Sequence, residues 1–334
     1  MKKNKLTVGG LFSGVGGIEL GFIQNGFEVL WSNDIDKDAA ETFKLNFKHK
    51  HILGDIKNLN GKDLDVVDVL VGGFPCQAFS IAGYRKGFDD ERGNLFFEIV
   101  RLIKELKEKP KALLLENVKN FYTHDSGNTF KVVVQHLEEL GYCVFSKVLN
   151  TSTYTNIPQN RERTFIICFL DGANADIYND KSMSQNFKSI FPPMPLDKTH
   201  HIKDYLEEGK VADRYYYGKE KYMYEDLLET IKSEDTVYQW RRHYVRENKS
   251  DVCPTLTANM GTGGHNVPLI KDSFGFRKLT PRECFNLQGF PSDYKLPSEM
   301  SISHLYKQSG NSVTVGMINL LASLIKKSIN SIED

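Results

Sequence analysis

The chain has 334 residues, enough for two domains of ordinary size. Apolar residues make up 40% of it and charged residues 26%, so a disordered, collagen-like or coiled-coil protein is excluded. The formal net charge is zero, so a polyanionic partner would have to be bound by a local basic patch rather than attracted by the whole protein.

The sequence also predicts the compartment. No apolar run approaches the ~20 residues that a membrane-spanning helix needs, and the basic N-terminal residues are not followed by the apolar stretch of a signal peptide. The five cysteines include no Cys-x-x-Cys pair, which disfavours a zinc ribbon and a disulfide framework. We therefore expect a cytoplasmic protein with no membrane association.

The first half of the chain alternates short apolar strands with amphipathic helices. Strands are predicted over residues 6–12, 27–31, 66–71, 112–115, 142–149 and 164–169, and helices over 18–26 and 95–106. Strands that alternate with helices form a mostly parallel sheet covered on both faces. The pattern predicts an α/β, doubly wound, Rossmann-like domain.

After about residue 170 this alternation ends. Residues 171–275 are polar and turn-rich, and Phe191–Pro195 is typical of a stiff linker. We predict a smaller, irregular second domain over 191–275 and a hinge segment over 276–304. Residues 1–190 and 305–334 form the first domain, which a C-terminal helix over 317–329 would cover.

Unusual residues follow the first strands, where ligands bind in open parallel sheets. The glycine turn Phe12–Gly17 lacks the third glycine of a dinucleotide fingerprint, because Glu19 stands there. Asp34 could accept hydrogen bonds from ribose hydroxyls, and Asp55 could accept one from an exocyclic amine. An ordinary tight turn with two solvated acids is the alternative interpretation.

A second group of residues could carry chemistry. Cys76 lies in a Gly- and Pro-rich loop after a buried strand, which favours an exposed nucleophilic thiol. Glu116 ends the next strand at the same sheet edge and could donate a proton, although a lone Glu there is more often a cap or a surface acid. Arg161 and Arg163 share one strand face, suited to a phosphate or a carbonyl oxygen, unless they are a solvated charge run.

Six blocks of sequence together resemble one family. They lie at residues 11–17, 73–80, 116–118, 159–163, 277–291 and 308–313. In this order they resemble the DNA (cytosine-5)-methyltransferases of bacterial restriction–modification systems. The segment near 171–275 lies outside the resemblance, as expected for that family's variable target-recognition domain.

The resemblance implies a mechanism. Cys76 would attack C6 of a cytosine while Glu116 interacts with N3, and C5 would take the methyl group of S-adenosyl-L-methionine. Arg163 would contact the O2 side of the base, and Arg161 would support a loop or a phosphate. A base inside a duplex is out of reach of the thiol, so the family flips it out of the helix.

The resemblance also implies binding residues. For the cofactor these are Phe12, Ser13, Gly14, Val15, Gly16, Gly17, Asp34, Ile35, Asp55, Ile56, Pro75, Leu95, Asn311 and Ser312. For DNA they are Gln77, Ser80, Gln159, Arg241, Arg242, Thr255, Leu256, Gly263 and Gly264. Asp34 and Ile35 depart from the family pattern, which often has Glu and an aromatic residue there.

The expected partner is double-stranded DNA. No metal is expected, because the chemistry is thiol addition rather than activation of water. We expect a monomer. A restriction endonuclease of the same system is a possible partner, and it would form no stable complex with this chain.

Three alternatives remain open at this point. The same chemistry could act on a transfer RNA, or the fold could bind DNA without catalysis. A nicotinamide-dependent dehydrogenase is the third, and Glu19 in the glycine turn disfavours it.

Overall fold

A computed structural model describes residues 5–75, 95–171, 182–197, 199–221, 224–241, 244–248, 250–262 and 266–331. Its strands in the first half are β1 (Thr7–Leu11), β2 (Glu28–Asp34), β3 (Lys50–Leu53), β4 (Val69–Gly73), β5 (Ala112–Val118), β6 (Cys143–Asn150), β7 (Gln159–Asn160) and β8 (Glu162–Phe169). Seven of these form one sheet in the order β3-β2-β1-β4-β5-β8-β6.

The sheet is mostly parallel, as predicted. Strand β1 pairs in parallel with β2 and β4, β2 pairs with β3, and β4 pairs with β5 in the same sense. Strand β8 lies antiparallel between β5 and β6. The strand order reverses between β1 and β4, and this reversal opens a crevice at their carboxyl ends.

Helices lie on both faces of this sheet. The described helices are α1 (Gly17–Ile23), α2 (Lys37–Asn46), α3 (Leu95–Glu105), α4 (Asn128–Glu139), α5 (Thr151–Tyr154), α6 (Met183–Ile190), α7 (Tyr224–Thr230), α8 (Pro281–Leu287), α9 (Ile302–Asn311) and α10 (Val315–Asn330). One core contains α1, α6 and α10 on one face of the sheet, and a second contains α3 and α4 on the other.

Helix α10 confirms the predicted C-terminal covering helix. Its apolar side chains Ile318, Leu321 and Ile325 are fully buried in the first core. By length and composition alone the stretch 302–330 could cross a membrane, but most of it is buried inside the protein. The apolar residues of this stretch therefore serve the core.

The second half of the chain carries an antiparallel sheet that the sequence did not predict. Its strands are β9 (Val237–Arg241), β10 (Tyr244–Asn248), β12 (Leu269–Asp272) and β13 (Gly275–Lys278), in the order β10-β9-β12-β13. A further short strand, β11 (Cys253–Pro254), pairs in parallel with β7. These strands lack the alternation of polar and apolar residues that predicts a strand, since Val237 and Tyr238 are adjacent buried residues, as are Leu269 and Ile270.

The limits of the two domains stay predictions. The second sheet ends at Lys278, three residues beyond the predicted boundary at 275. A core of buried residues also runs from Val237 and Leu256 to Leu279 and Tyr306. The predicted recognition and hinge segments therefore share apolar packing.

A buried ion pair fastens the second sheet to α8. Arg277, which is 1% exposed, donates from Nη1 and Nη2 to the two carboxylate oxygens of Glu283, at 2.8 and 2.7 Å. Its Nε donates to Asp272, at 2.6 Å. Glu283 also accepts the backbone N–H of Thr280 and of Glu207. Each charge is thus bonded on several sides, which offsets the cost of burial.

Replacing Glu283 by alanine should lower the free energy of unfolding by about 3–5 kcal/mol, because the buried Arg277 would lose the partner of both its Nη groups and keep only the Asp272 contact at Nε. Chemical denaturation measures this change. The matched control is Glu98→Ala, which breaks a partly exposed ion pair with Arg101 and should cost less than about 1 kcal/mol. Equal losses from the two variants would contradict the assignment.

Candidate active site

The glycine turn after β1 has the geometry of a ligand-binding loop. Phe12 and Gly14 have positive φ angles, and a Cβ on Gly14 would meet no atom within 4 Å, so the turn leaves open space there. Asp34 holds the turn in place, since its Oδ2 accepts the N–H of Gly14 at 2.7 Å and its Oδ1 accepts that of Asp36 at 2.7 Å. Each carboxylate oxygen keeps a second lone pair for a ligand.

The C-terminal motif reaches the same turn. A Cβ on Gly17 would lie 2.7 Å from Ser312 Oγ, so only glycine permits this close approach. Asn311, next to it, is exposed. The structure therefore brings Ser312 to the glycine turn, although almost three hundred residues separate them. Gly16 and Val15 complete the turn, and Tyr294 Oη donates to the carbonyl of Val15.

The ends of β2 and β3 form the rim of this pocket. Ile35 is exposed and Ile56 is buried. Asp55 caps a short 3₁₀ turn by accepting the N–H of Lys57 at 3.0 Å. Asn33, which the sequence analysis did not single out, donates to the carbonyls of residues 52 and 54 at 2.8 and 2.9 Å. This amide fixes the chain that presents Asp55.

Glu116 and Arg163 form an ion pair at the ends of β5 and β8. Arg163 Nε lies 3.0 Å from Glu116 Oε1, and both side chains are mostly buried. The antiparallel register places Val118 opposite Arg163, which brings the guanidinium back toward Glu116. On the other side of β5, Gly73 of β4 is the register partner of Glu116. A Cβ on Gly73 would lie only 3.2 Å from Glu116 Oε2. The charges are therefore held at the edge where β4 ends.

The chain that leads to the predicted nucleophile leaves β4 beside this pair. Asn117 donates from Nδ2 to the carbonyl of Phe74 at 3.0 Å, and Pro75 follows on the surface. Three predicted residues, Cys76, Gln77 and Ser80, lie outside the described residues. Leu95, which begins α3, packs with Phe12 against the same core.

Arg161 lies in the interior of the protein rather than at the sheet edge of the Glu116–Arg163 pair. It is 3% exposed, and its guanidinium donates to the backbone carbonyls of Leu256 at 2.7 Å, Gly310 at 3.3 Å and Ser312. Burial, followed by the charge of Arg163, lowers its pKa to about 9. The sequence placed Arg161 beside Arg163, but its contacts join the second domain to the C-terminal motif.

Gln159 and Leu256, both predicted to contact DNA, also have buried side chains. Gln159 Nε2 donates to the carbonyl of Leu287 at 2.7 Å, and its Oε1 accepts the N–H of Leu256 at 3.3 Å. Thr255, the residue before, is partly exposed, and its hydroxyl donates to the carbonyl of Asn160 at 2.5 Å.

A polar cavity of about 670 Å³ lies between the two domains. Arg241, Arg246, Gln239 and Thr255 line it from the second domain, and Asn160 lines it from the first. Arg242, Gly263 and Gly264, which were predicted to contact DNA, lie outside the described residues. Among the described residues that were predicted to contact DNA, Arg241 and Thr255 line this cavity.

The chain is similar to known proteins over almost its whole length. A profile of the family described as C-5 cytosine-specific DNA methylase matches residues 6–327. The chain is 53% identical over 328 residues to the type II methyltransferase M.Bsp6I of Bacillus sp. (strain RFL6), which covers 97% of this chain and 99% of that protein.

The chain belongs to the C-5 cytosine-specific DNA methylase family. It is also 39% identical over 337 residues to the type II methyltransferase M.HhaI of Haemophilus parahaemolyticus, covering 96% and 94% of the two chains. The crystal structure of the S. pombe Dnmt2 methyltransferase matches with a TM-score of 0.72 at 20% identity, covering 98% of this chain and all of that one, and supports the fold alone.

Methylases of this family use S-adenosylmethionine, and the residues at the glycine turn suit such a ligand. Gly14 leaves open space, and Asp34 keeps free lone pairs beside it. Within the described ranges no group of three or more His, Cys, Asp or Glu residues could hold a metal ion.

Glu19 is a buried acid beneath this turn whose position the sequence analysis missed. Its carboxyl group is fully buried, and Ser32 donates to its Oε1 at 3.2 Å. A Cβ on Gly10 would lie 2.2 Å from the same oxygen, so the glycine leaves room for the carboxyl. The signal available in the sequence was an acidic residue that stands among the apolar residues Ile18, Leu20 and Phe22 of α1.

Burial raises the pKa of Glu19 to about 7. The folded protein therefore binds a proton that the unfolded chain loses near its ordinary pKa of about 4.5, and this stabilisation is lost as the pH rises through 7. Relative to Glu19→Gln, the wild-type free energy of unfolding should fall by about 3 kcal/mol between pH 5 and pH 8.

Denaturation of both proteins across this pH range measures the difference. The control is Glu41→Gln, which replaces an exposed acid of α2 and should leave the pH dependence of the wild type unchanged. A wild-type profile parallel to that of Glu19→Gln would show that this carboxyl does not titrate near neutral pH.

Proposed function

We propose that this methylase transfers a methyl group to C5 of a flipped-out cytosine in a short, specific duplex DNA sequence, through a covalent bond between Cys76 and C6. The observation that carries the proposal is the Glu116–Arg163 ion pair beside the exit of β4, where the chain runs through Pro75 toward Cys76. An acid and a cation held beside the segment that carries a thiol suit addition to a pyrimidine ring.

The proposed chemistry begins with addition. The Cys76 thiolate forms a bond to C6, and the displaced electron pair moves into the ring, where Glu116 bonds N3 and makes C5 nucleophilic. S-adenosyl-L-methionine supplies the methyl group when it is bound. A base then removes the C5 proton, and the electrons of that C–H bond re-form the double bond between C5 and C6. The bond between Sγ and C6 breaks, and its electron pair returns to the sulfur.

Arg163 has two roles in this proposal. Its ion pair orients the Glu116 carboxyl group, and its remaining guanidinium N–H groups can donate to the cytosine O2. Positioned hydrogen bonds of this kind stabilise charge as it develops on the ring. Flipping the base costs a few kcal/mol, which contacts in the cavity must offset.

The cofactor would lie against the glycine turn and the ends of β2 and β3. Asp34 would hold the ribose, Asp55 and Ile56 the adenine, and Asn311 and Ser312 would close the pocket. Phe12, Val15, Ile35, Pro75 and Leu95 would supply its apolar walls.

The biological role that fits is protection of host DNA in the cytoplasm, as one half of a type II restriction–modification system. Two relatives that carry the name type II methyltransferase support this role. The enzyme would act as a monomer, without a stable complex with the cognate endonuclease.

Bisulfite sequencing of plasmid DNA from a methylation-free host that expresses the chain tests this function. We expect protected cytosines in one short motif and none with Cys76→Ala, because the variant has no nucleophile there. Soluble, folded wild-type protein without protected cytosines would contradict the proposal and favour a transfer RNA substrate. Protection that persists in Cys76→Ala would contradict the covalent step.

The face of the β9–β10 hairpin that carries Gln239 and Arg246 is proposed to read bases. These two residues are register partners, and both line the cavity. A two-stranded ribbon fits the major groove of B-DNA, and Arg there bonds guanine. The packing of Gln159 and Leu256 behind Thr255 supports a positioning role for these two residues rather than direct contact with DNA.

Arg246→Ala should weaken binding to the methylated motif by about 1–3 kcal/mol relative to a duplex with one altered base pair. Binding titrations at one fixed salt concentration measure this discrimination. Arg214→Ala, an exposed arginine that does not line the cavity, is the control and should leave discrimination unchanged. An equal loss for both duplexes would assign Arg246 to the phosphate backbone instead.

A further inference from the structure

Arg161 connects three parts of the chain that are distant in sequence. It lies just before β8 in the catalytic domain, and it donates to Leu256 of the recognition loop, which we define as residues 255–258. It also donates to Gly310 and Ser312 of the cofactor wall, which we define as residues 309–312. One side chain thus holds the proposed DNA loop and the proposed cofactor wall together.

The acceptors of this cation are unusual for a buried charge. All three are backbone carbonyls, and within the described part of the chain no carboxylate bonds the guanidinium. The nearby Glu116 is paired with Arg163 instead. A buried charge is tolerated only when it is well hydrogen-bonded, so the cation is stable only while the loop and the wall are both in place.

A second observation, independent of Arg161, joins the same two segments. A Cβ on Gly310 would lie 2.1 Å from the carbonyl carbon of Thr257 and 2.3 Å from its oxygen, so the recognition loop rests directly on the end of α9. Two residues further, Ser312 meets Gly17 of the glycine turn. The recognition loop, the end of α9 and the glycine turn are therefore in direct contact in this order.

Gln159 adds a parallel connection. Its Oε1 accepts the N–H of Leu256, and its Nε2 donates to the side chain of Gln288 at 3.1 Å. Gln288 in turn donates to the carbonyl of Ser309 at 2.6 Å. The polar backbone groups of Leu256 are thus both held by side chains whose other contacts lead to the cofactor wall.

We propose that Arg161 is a positioning residue that couples DNA binding at the recognition loop to cofactor binding at the wall. Docking of either segment supplies carbonyl acceptors to the guanidinium and so lowers the cost of docking the other. The inference rests on the proposed function, because it takes the recognition loop as the DNA site and the wall as part of the cofactor site. Coupling of this kind must be reciprocal.

Calorimetric titration with S-adenosyl-L-homocysteine tests the proposal, with and without a saturating duplex that carries the protected motif. For the wild type we expect the duplex to lower the Kd of this ligand by at least about fivefold, and the ligand to lower the Kd of the duplex by the same factor. In Arg161→Lys, which replaces the planar guanidinium by a single amino group that cannot reach all three carbonyls, the coupling factor should fall below about twofold.

Two further variants make the test specific. Gly310→Ala places a Cβ against the backbone of Thr257 and pushes the loop away from the wall while the Arg161 side chain itself is kept, so it should also reduce the coupling factor. Arg214→Lys, an exposed arginine, should leave the factor unchanged. Thermal unfolding confirms that each protein is folded. The coupling factor is the ratio of two Kd values of the same protein, measured without and with the other ligand. A structural defect that weakens one ligand equally in both titrations therefore leaves this ratio unchanged.

A coupling factor near one in the wild type would overturn the inference. So would a coupling factor in Arg161→Lys as large as that of the wild type. Failure of the wild type to bind either ligand alone would instead contradict the proposed function. The two failures are therefore distinguishable.

Discussion

The reversal of strand order between β1 and β4 is the constraint on which the rest of the structure depends. On one side of this point the sheet continues to β2 and β3, and on the other it continues to β5 and β8. Because the crossovers diverge from this point, the carboxyl ends of β1 and β4 face an open crevice. The glycine turn follows β1, and the segment toward Cys76 follows β4. The proposed cofactor site and the segment that leads to the proposed nucleophile thereby come to the same crevice.

Two buried arginines in the molecule are stabilised in different ways. Arg277 is bonded to Glu283 and Asp272, and these charges hold its pKa above the ordinary value, although burial opposes this. Arg161 is bonded only to carbonyls, and burial lowers its pKa. The first arrangement suits a permanent connection between the second sheet and α8. The second suits a contact whose stability depends on what binds at the recognition loop and at the cofactor wall.

Much of the site could be predicted from the sequence because its motifs are local. The turn at Phe12–Gly17 and the acid at Glu116 each lie at the end of an apolar run, where a parallel sheet places ligands. The pairing of Glu116 with Arg163 could not be predicted, because it depends on the antiparallel register of β8. The buried position of Arg161 could not be predicted for a similar reason, because two of its carbonyl acceptors lie 95 and 151 residues away in the sequence.

The most direct test of the account is to trap the covalent bond to Cys76. A duplex with 5-fluorocytosine at the target position has no C5 proton to lose, so the bond between Sγ and C6 should persist after methyl transfer. Peptide mass spectrometry of the trapped complex should then place the methylated base on Cys76. A base bound to another residue, or a methylated product released without any adduct, would contradict the account.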